Sequence, residues 1–335
     1  MSTPRTARRA GAVLVLLTGL VVVAALCSIA FGARVVGLEE ILHGLTGSGG
    51  DLGAAAVAER LPRTAAALAA GAALAVSGAL MQAVTRNPIA EPGLLGVNAG
   101  AACAVAIGLG IARSLPIALL MLVSLVGALI SGLVVTGASG AWRGRHDPVR
   151  IVLVGAAWSA VVSAITTFML LSDPRIYDEF RFWDAGAVMP RPLDLVAAAA
   201  VLSGLGLLAA LLLSRSLDAL ALGEEFARGL GVSAGRARGL VAATCLVLCA
   251  AATALVGPIS FLGLMAPFAA RLIAGPRHRV LIWLSALLGG VTLLAADVLG
   301  RVVNPPAEVQ AALMCALLGA PLFIALARAR RLVQL

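Results

Sequence analysis

Residues 85–100 read TRNPIAEPGLLGVNAG and lie between two long apolar runs. Their first nine residues carry two prolines, a glycine and two charges, so no helix passes through them unbroken. The runs on either side are built of Ala, Leu, Val and Gly. The stretch is therefore a connection, and its side of a membrane is the question it poses.

Outward from it the chain stays apolar: 61% of its 335 residues are hydrophobic and 12% charged, with a mean hydropathy of +1.04. That is far from the balance of a soluble domain. The runs are about 20 residues long, the length a helix needs to cross a hydrocarbon core of about 30 Å, whereas barrel strands are shorter and alternate with polar residues. The fold class expected is an all-α integral membrane protein. Its spans fall near 11–33, 62–83, 94–111, 115–137, 150–171, 193–213, 239–256, 259–273, 280–297 and 308–327, about ten transmembrane helices in one transmembrane domain, 1–335. The eighth run is short and bounded by Pro258 and Pro267, so a broken or partial crossing is expected there.

An even number of spans puts both termini on one side. Arg5, Arg8 and Arg9 precede the first run and Arg328, Arg330 and Arg331 follow the last, so both termini are expected to be cytoplasmic. Stretches assigned to the same side carry Arg86, Arg143, Arg145, Arg150, Arg215, Arg228, Arg236, Arg238, Arg277 and Arg279. Opposite loops hold Glu39, Glu40, Asp51, Asp173, Asp178, Glu179 and Asp184. The 85–93 connection thus falls on the cytoplasmic side. The first run follows basic residues as a secretory signal does, but it continues to Phe31 without a small-x-small cleavage site and is read as a retained helix; a lipoprotein signal ending at Cys27 is the alternative, weakened by Leu26. "VVGLEEILHGLTG" (35–47) and "LALGEEFARGLGV" (220–232) resemble one another five spans apart. That is the pattern of an inverted repeat of two five-helix halves, 10–171 and 193–330; chance similarity is the other reading.

Every one of the 25 basic residues is arginine. A P-loop needs a lysine at its phosphates, so any ATP used must be hydrolysed by a partner. Cys27, Cys103, Cys245, Cys249 and Cys315 sit inside apolar runs and read as packing residues. His43, His146 and His278 fall in loops. No metal motif or nucleophile elbow occurs, so an enzyme is disfavoured and neither metal nor catalytic residue is assigned. Proton-coupled transport usually needs buried ionisable groups. Asp297 is the one candidate, and an interfacial pair with Arg301 accounts for it.

In "ERLPRTAAALAAGAALAVSGALMQ" (59–82), Pro62 suits the first turn of a helix and Arg60 and Arg63 share its outer end. Headgroup anchoring is one reading; an acidic partner at the outer surface is the other, since arginine is disfavoured outside. In "LDALALGEEFARGLGVSAGRARG" (217–239), Gly223, Gly229 and Gly231 bracket a short segment with Glu224 and Glu225 first and Arg228 last. That order suits a helix dipole and reads either as a solvated linker or as a lever fitting a groove on a cytoplasmic partner. Ser159, Ser163 and Thr167 form a hydroxyl stripe that either lines a polar path or bonds back to its own helix. Asn98 is open in the same way.

The ordered set "RLPRTAAALAAGAALAVSGALMQAVTRNPIAEPGLLGVNAGA", "FRFWDAGAV", "LGEEFARGLGV", "VGPISFLGLMAPFAARLIAG", "LLAADVLGR" and "LLGAPLFIAL" resembles the permease subunits of ABC importers for ferric siderophores, haem and cobalamin, over about residues 10–330. The resemblance implies import across the cytoplasmic membrane by alternating access, with a ferric siderophore as the commonest cargo and haem or cobalamin as alternatives. It implies that Asn87, Pro88 and Pro92 form the cytoplasmic turn between the second and third helices. It further implies that Arg60, Arg63 and Arg301 dock glutamates of an extracytoplasmic binding protein, and that the segment with Gly223, Glu224, Glu225, Ala227, Arg228 and Gly231 couples to a cytoplasmic ATPase. The partners implied are a second permease, the same chain or a sister, and two ATPase subunits holding ATP and Mg. This chain holds no cofactor of its own; its surroundings are the lipid bilayer, with no nucleic acid. The fifth and tenth helices are implied to line and gate the pathway. Two departures stand out: Phe268 follows Pro267 where histidine is common, and Glu308 is followed by Val309, Gln310 and Ala311 in place of Leu-Pro-Val. A secondary transporter working without an ATPase is the competing class.

Overall fold

The computed structural model describes residues 4–32, 36–46, 52–112, 114–140, 148–275, 277–305 and 307–328. Asp51, Arg143, Arg145, His146, Arg330 and Arg331, named above, lie outside them. Among the described residues there are thirteen α-helices and no strand: α1 Pro4–Ala30, α2 Leu38–Thr46, α3 Leu52–Thr85, α4 Val97–Ala112, α5 Ile117–Ala138, α6 Pro148–Ser172, α7 Pro174–Asp184, α8 Leu193–Ala221, α9 Glu224–Gly229, α10 Ala234–Val256, α11 Leu262–Ala274, α12 His278–Val303 and α13 Ala311–Arg328. Each of the ten predicted runs is helical along most of its length. Among the described residues seven helices are long and apolar enough to cross a membrane; α4, α11 and the apolar part of α13 are shorter.

The centre is α3. Of its apolar span, 78% is buried, against 17% for α1. Between helices surrounded by lipid, close contact of small residues does the work that apolar burial does in water. A Cβ on Gly71 would stand 2.5 Å from the Gly289 carbonyl oxygen, and one on Gly289 would stand 2.3 Å from that of Gly71. One on Gly78 would run into the Gly263 carbonyl. Both seams place backbone on backbone, so α3 packs directly on α12 and α11. Gly100 and Gly127 join α4 to α5 in the same reciprocal way, each 2.6 Å from the other's carbonyl oxygen once a Cβ is built.

Three expectations are corrected. α3 begins at Leu52, so Pro62 lies inside it and not in its first turn; the ring removes one backbone bond, to the carbonyl four residues back. The 34 residues of α3 span about 51 Å at 1.5 Å per residue, more than a bilayer core. Second, two segments read as loops are helices, α2 and α7, both short and amphipathic. Third, of the broken or partial crossing expected for the eighth run, the break is absent: α11 passes through Pro267 to Ala274, while its 13 residues keep it short. All five cysteines are free, four of them buried.

The 85–100 stretch breaks as expected. α3 stops at Thr85, and after a single 3₁₀ turn, Pro92–Leu95, α4 starts at Val97. Asn87 shapes the turn: its Oδ1 accepts from the Ile89 N–H at 3.1 Å and its carbonyl accepts from the Ala90 N–H at 3.1 Å. Pro92 opens the 3₁₀ turn and is buried. The loop is not a simple surface connection. It folds back along α3, so that a Cβ on Gly263 would meet Pro92 Cδ at 3.2 Å and the Leu74 carbonyl at 3.2 Å.

Candidate functional site

Two poles of the molecule hold the residues singled out from the sequence. At the Leu52 end of α3, Arg60 and Arg63 project from one face, and each already has partners within the chain. Arg63 donates to both oxygens of Asp297, with Nη2–Oδ1 at 2.8 Å, and to both oxygens of Glu308, with Nη2–Oε2 at 2.8 Å and Nη1–Oε1 at 3.2 Å. Arg301 reaches the other side of Asp297, Nη2–Oδ2 3.0 Å, and donates to the carbonyls of Ser28 and Phe31 at 3.1 Å each. Its Nη2 also donates to Ser28 Oγ at 2.9 Å, and Ser28 Oγ pairs with Thr64 Oγ1 at 2.8 Å. Arg60 Nη1 donates to the carbonyls of Ile29 and Ala30, at 2.7 and 3.1 Å.

α1, α3, α12 and the approach to α13 thus share one network in which Arg63, Arg301, Asp297 and Glu308 are bonded side chain to side chain, with Arg60 beside it on the α1 carbonyls. Asp297 and Arg301 are each 2% exposed, which corrects the expectation of an interfacial pair. Glu308, at 43%, is its open edge, and Arg63 is 11% exposed. A buried carboxylate between two guanidiniums is satisfied only while both remain, so this pole is rigid by electrostatic necessity.

At the opposite pole, Gly223 with φ +113 and Gly231 with φ +78 bracket α9 in backbone conformations that suit glycine. Glu224 is held by Arg238 of α10 at 2.6 Å and by Arg228 at 3.4 Å. The hydrogen bond and charge of Arg238 keep the Glu224 carboxyl below the ordinary carboxylate range. Ala227 is wholly buried against Ala219, Leu220, Ala234 and Ala237, so within the segment it faces its own chain. The large apolar side chains left exposed here are Leu222, Phe226 and Leu230, at 67%, 70% and 66%. Their spacing of four is the signal the sequence carries for this apolar patch.

This pole is braced from two sides. Arg86 donates to the Leu220 carbonyl at 2.7 Å, linking the 85–100 stretch to the base of α9. Asp218 accepts from the His278 backbone N–H at 2.9 Å and pairs with Nδ1 at 2.7 Å. His278 is therefore no loop residue; it opens α12 and is buried.

The hydroxyl stripe resolves in part. Ser163 and Thr167 are exposed on the outward face of α6, Ser159 is partly covered beside Gly96, and the α6 hydroxyls that bond back to their own helix are those of Thr166, to Val162, and Ser172, to Phe168. Asn98 is partly buried and accepts from Thr253 Oγ1 at 3.1 Å, joining α4 to α10. Among the described residues no group of three or more His, Cys, Asp and Glu could hold a metal ion.

The FecCD transport family matches residues 20–329. The chain is 40% identical over 312 residues to the ferric enterobactin transport system permease protein FepD of Escherichia coli (strain K12), covering 92% of each chain. It is 35% identical over 344 residues to the iron(3+)-hydroxamate import system permease protein FhuB of Bacillus subtilis (strain 168), covering 97% of this chain and 86% of FhuB. Its fold matches a solved structure described as a metal-chelate type ABC transporter in an inward-facing conformation. That match has a TM-score of 0.80 and 25% identity, over 95% of this chain and 99% of the other.

Proposed function

Because the chain belongs to the FecCD transport family, we propose that it is the permease subunit of an ATP-driven importer that carries a ferric siderophore across the cytoplasmic membrane. It is a multi-pass membrane protein, and its relatives named for ferric enterobactin and iron(3+)-hydroxamate support the cargo class. The observation that carries the mechanism is the contrast of the two poles. One end presents an apolar knob of Leu222, Phe226 and Leu230 on a braced short helix; the other presents a preorganised arginine network.

In this reading the α9 pole is cytoplasmic, both termini share its side, and ten helices cross, with α4, α11 and α13 making short crossings. The distribution of arginines supports that orientation. α9 seats in a groove on an ATPase subunit through its apolar face, with Glu225 and Arg228 at the rim. The arginine pole receives acidic side chains of an extracytoplasmic binding protein: Arg60 and the Glu308 edge of Arg63 are within reach, while Arg301 holds the pair from beneath. A second permease covers the outward face of α6, and α6 and α13 line the path between the two subunits, with Ser163 and Thr167 on that wall. ATP turnover on the partner moves α9, and the path opens to one side at a time.

The test is uptake in proteoliposomes holding this chain with the ATPase and binding protein of its own importer, with ferric enterobactin as first probe and an iron(3+)-hydroxamate as second. Arg60→Glu, which leaves the buried Asp297 network intact, is expected to lower binding-protein stimulation and uptake at least tenfold with basal ATP hydrolysis retained. Uptake by the wild type without the ATPase would replace the importer with a secondary transporter.

A further inference from the structure

One contact in the 85–100 stretch is used by neither pole. Glu91 Oε1 accepts the backbone N–H of Phe261 at 2.9 Å, across 170 residues of chain. Phe261 caps the start of α11 with φ +68 and ψ −28, a left-handed conformation that a bulky side chain rarely adopts. Among the described residues only Arg86 and Phe261 are non-glycines with positive φ, and both border this junction. An outlier of this kind persists where its surroundings over-determine it. Here the surroundings are the carboxylate on one side and α13 on the other, since a Cβ on Gly319 would stand 3.1 Å from Phe261 Cβ.

The same loop touches α6 three residues later. The Leu94 carbonyl lies so close to Gly155 that a Cβ there would stand 1.9 Å from its oxygen. The Gly96 carbonyl accepts from Ser131 Oγ at 2.6 Å, which in turn accepts from Trp158 Nε1 of α6 at 2.7 Å. Residues 91–96 therefore contact α6 directly and α13 through Phe261. The sequence adds an independent observation. "NPIAEPGLLG" (87–96) and "GPISFLGLMA" (257–266) match at Pro88/Pro258, Ile89/Ile259, Gly93/Gly263 and Leu94/Leu264. In that alignment Glu91 and Phe261 occupy equivalent places, each after a long central helix, α3 or α10, and before a short one. The bond joins corresponding points of the two halves.

We infer that Glu91 is a positioning residue for transport: as a hydrogen-bond acceptor it pins Phe261 at the head of α11 and ties the α6 wall to the α13 wall, so that both respond together to ATP turnover. This rests on the reading of α6 and α13 as the path-lining helices. The tie needs an oxygen at that point in space and not a charge. Glu91→Gln keeps the oxygen, while Glu91→Leu keeps the bulk and loses the acceptor.

The readout is ferric enterobactin taken up per ATP hydrolysed in the full assembly, a ratio that a loss of folded protein alone does not move. Glu91→Gln is expected to keep the wild-type ratio; Glu91→Leu is expected to hydrolyse ATP while the ratio falls at least tenfold. Gly319→Ala pushes on Phe261 from the α13 side and is expected to lower the ratio several-fold, which keeps the test available if Glu91→Leu fails to assemble. A wild-type ratio in Glu91→Leu, an equal loss in Glu91→Gln, or an unchanged ratio in Gly319→Ala with Glu91→Leu unassembled would overturn the inference. Failure of the importer reading is a separate result: the wild type itself would then show no ATPase-dependent uptake.

Discussion

The two poles treat charge and apolar surface in opposite ways. At the arginine pole, five ionisable side chains gather from two helices and a loop, and the most central of them, Asp297 and Arg301, are almost completely covered. At the α9 pole the charged groups are short-range braces, Glu224 to Arg238 and Arg228, while three large apolar side chains stand in the open. Desolvated ion pairs specify geometry and tolerate little loss. An exposed apolar knob carries binding energy only once a partner covers it. The first pole is thus built into the fold, and the second leaves its apolar surface uncovered.

Removing Asp297 gives the sharpest attack on that contrast. Asp297→Ala leaves Arg63 and Arg301 without their shared carboxylate, a loss of about 3–5 kcal/mol by the measure of broken buried pairs. It should show as a large fall in folded yield and melting temperature in detergent; a variant that melts like the wild type would mean the network contributes little to the fold. Phe226→Ala with Leu230→Ala should leave folding untouched and weaken ATPase binding by about 2 kcal/mol, roughly 30-fold, as measured by co-purification titration. Equal binding would move the docking face elsewhere. The smallest effect concerns the brace. Because Arg238 holds Glu224 below the ordinary carboxylate range, its contribution is present above that range and is lost only as pH falls through the lowered folded value. ATPase affinity should therefore be flat between about pH 8 and pH 6; a clear loss within that window would show that another group governs the pole.

What composition and periodicity make legible is the set of apolar runs, because a lipid-spanning helix announces itself residue by residue. The α9 segment was legible too, from its glycines and its charge order. The arginine network was not. Arg63 meets Asp297 and Glu308 across 234 and 245 residues of chain, and no local pattern encodes which acid will answer a given arginine. The amphipathic α2 and α7 were hidden for a different reason: their polar faces lower the average of the short windows that contain them. The inward fold of residues 86–96 escaped because prolines and charges mark a break in a helix but say nothing about the depth at which the broken chain lies.

The glycine seam between α3 and α12 carries a last consequence, for how such a chain can change over generations. At Gly71 and Gly289 each backbone occupies the space a methyl group would need on the other. An alanine on either side is therefore an intrusion that its neighbour cannot absorb by choosing a new rotamer, since no side chain is there to move. Drift at one position requires the helix axes to part first, and the axes cannot part while the second glycine holds them together. Lineages should accumulate substitutions freely on the uncovered faces of α5 and α8 while this pair stays locked.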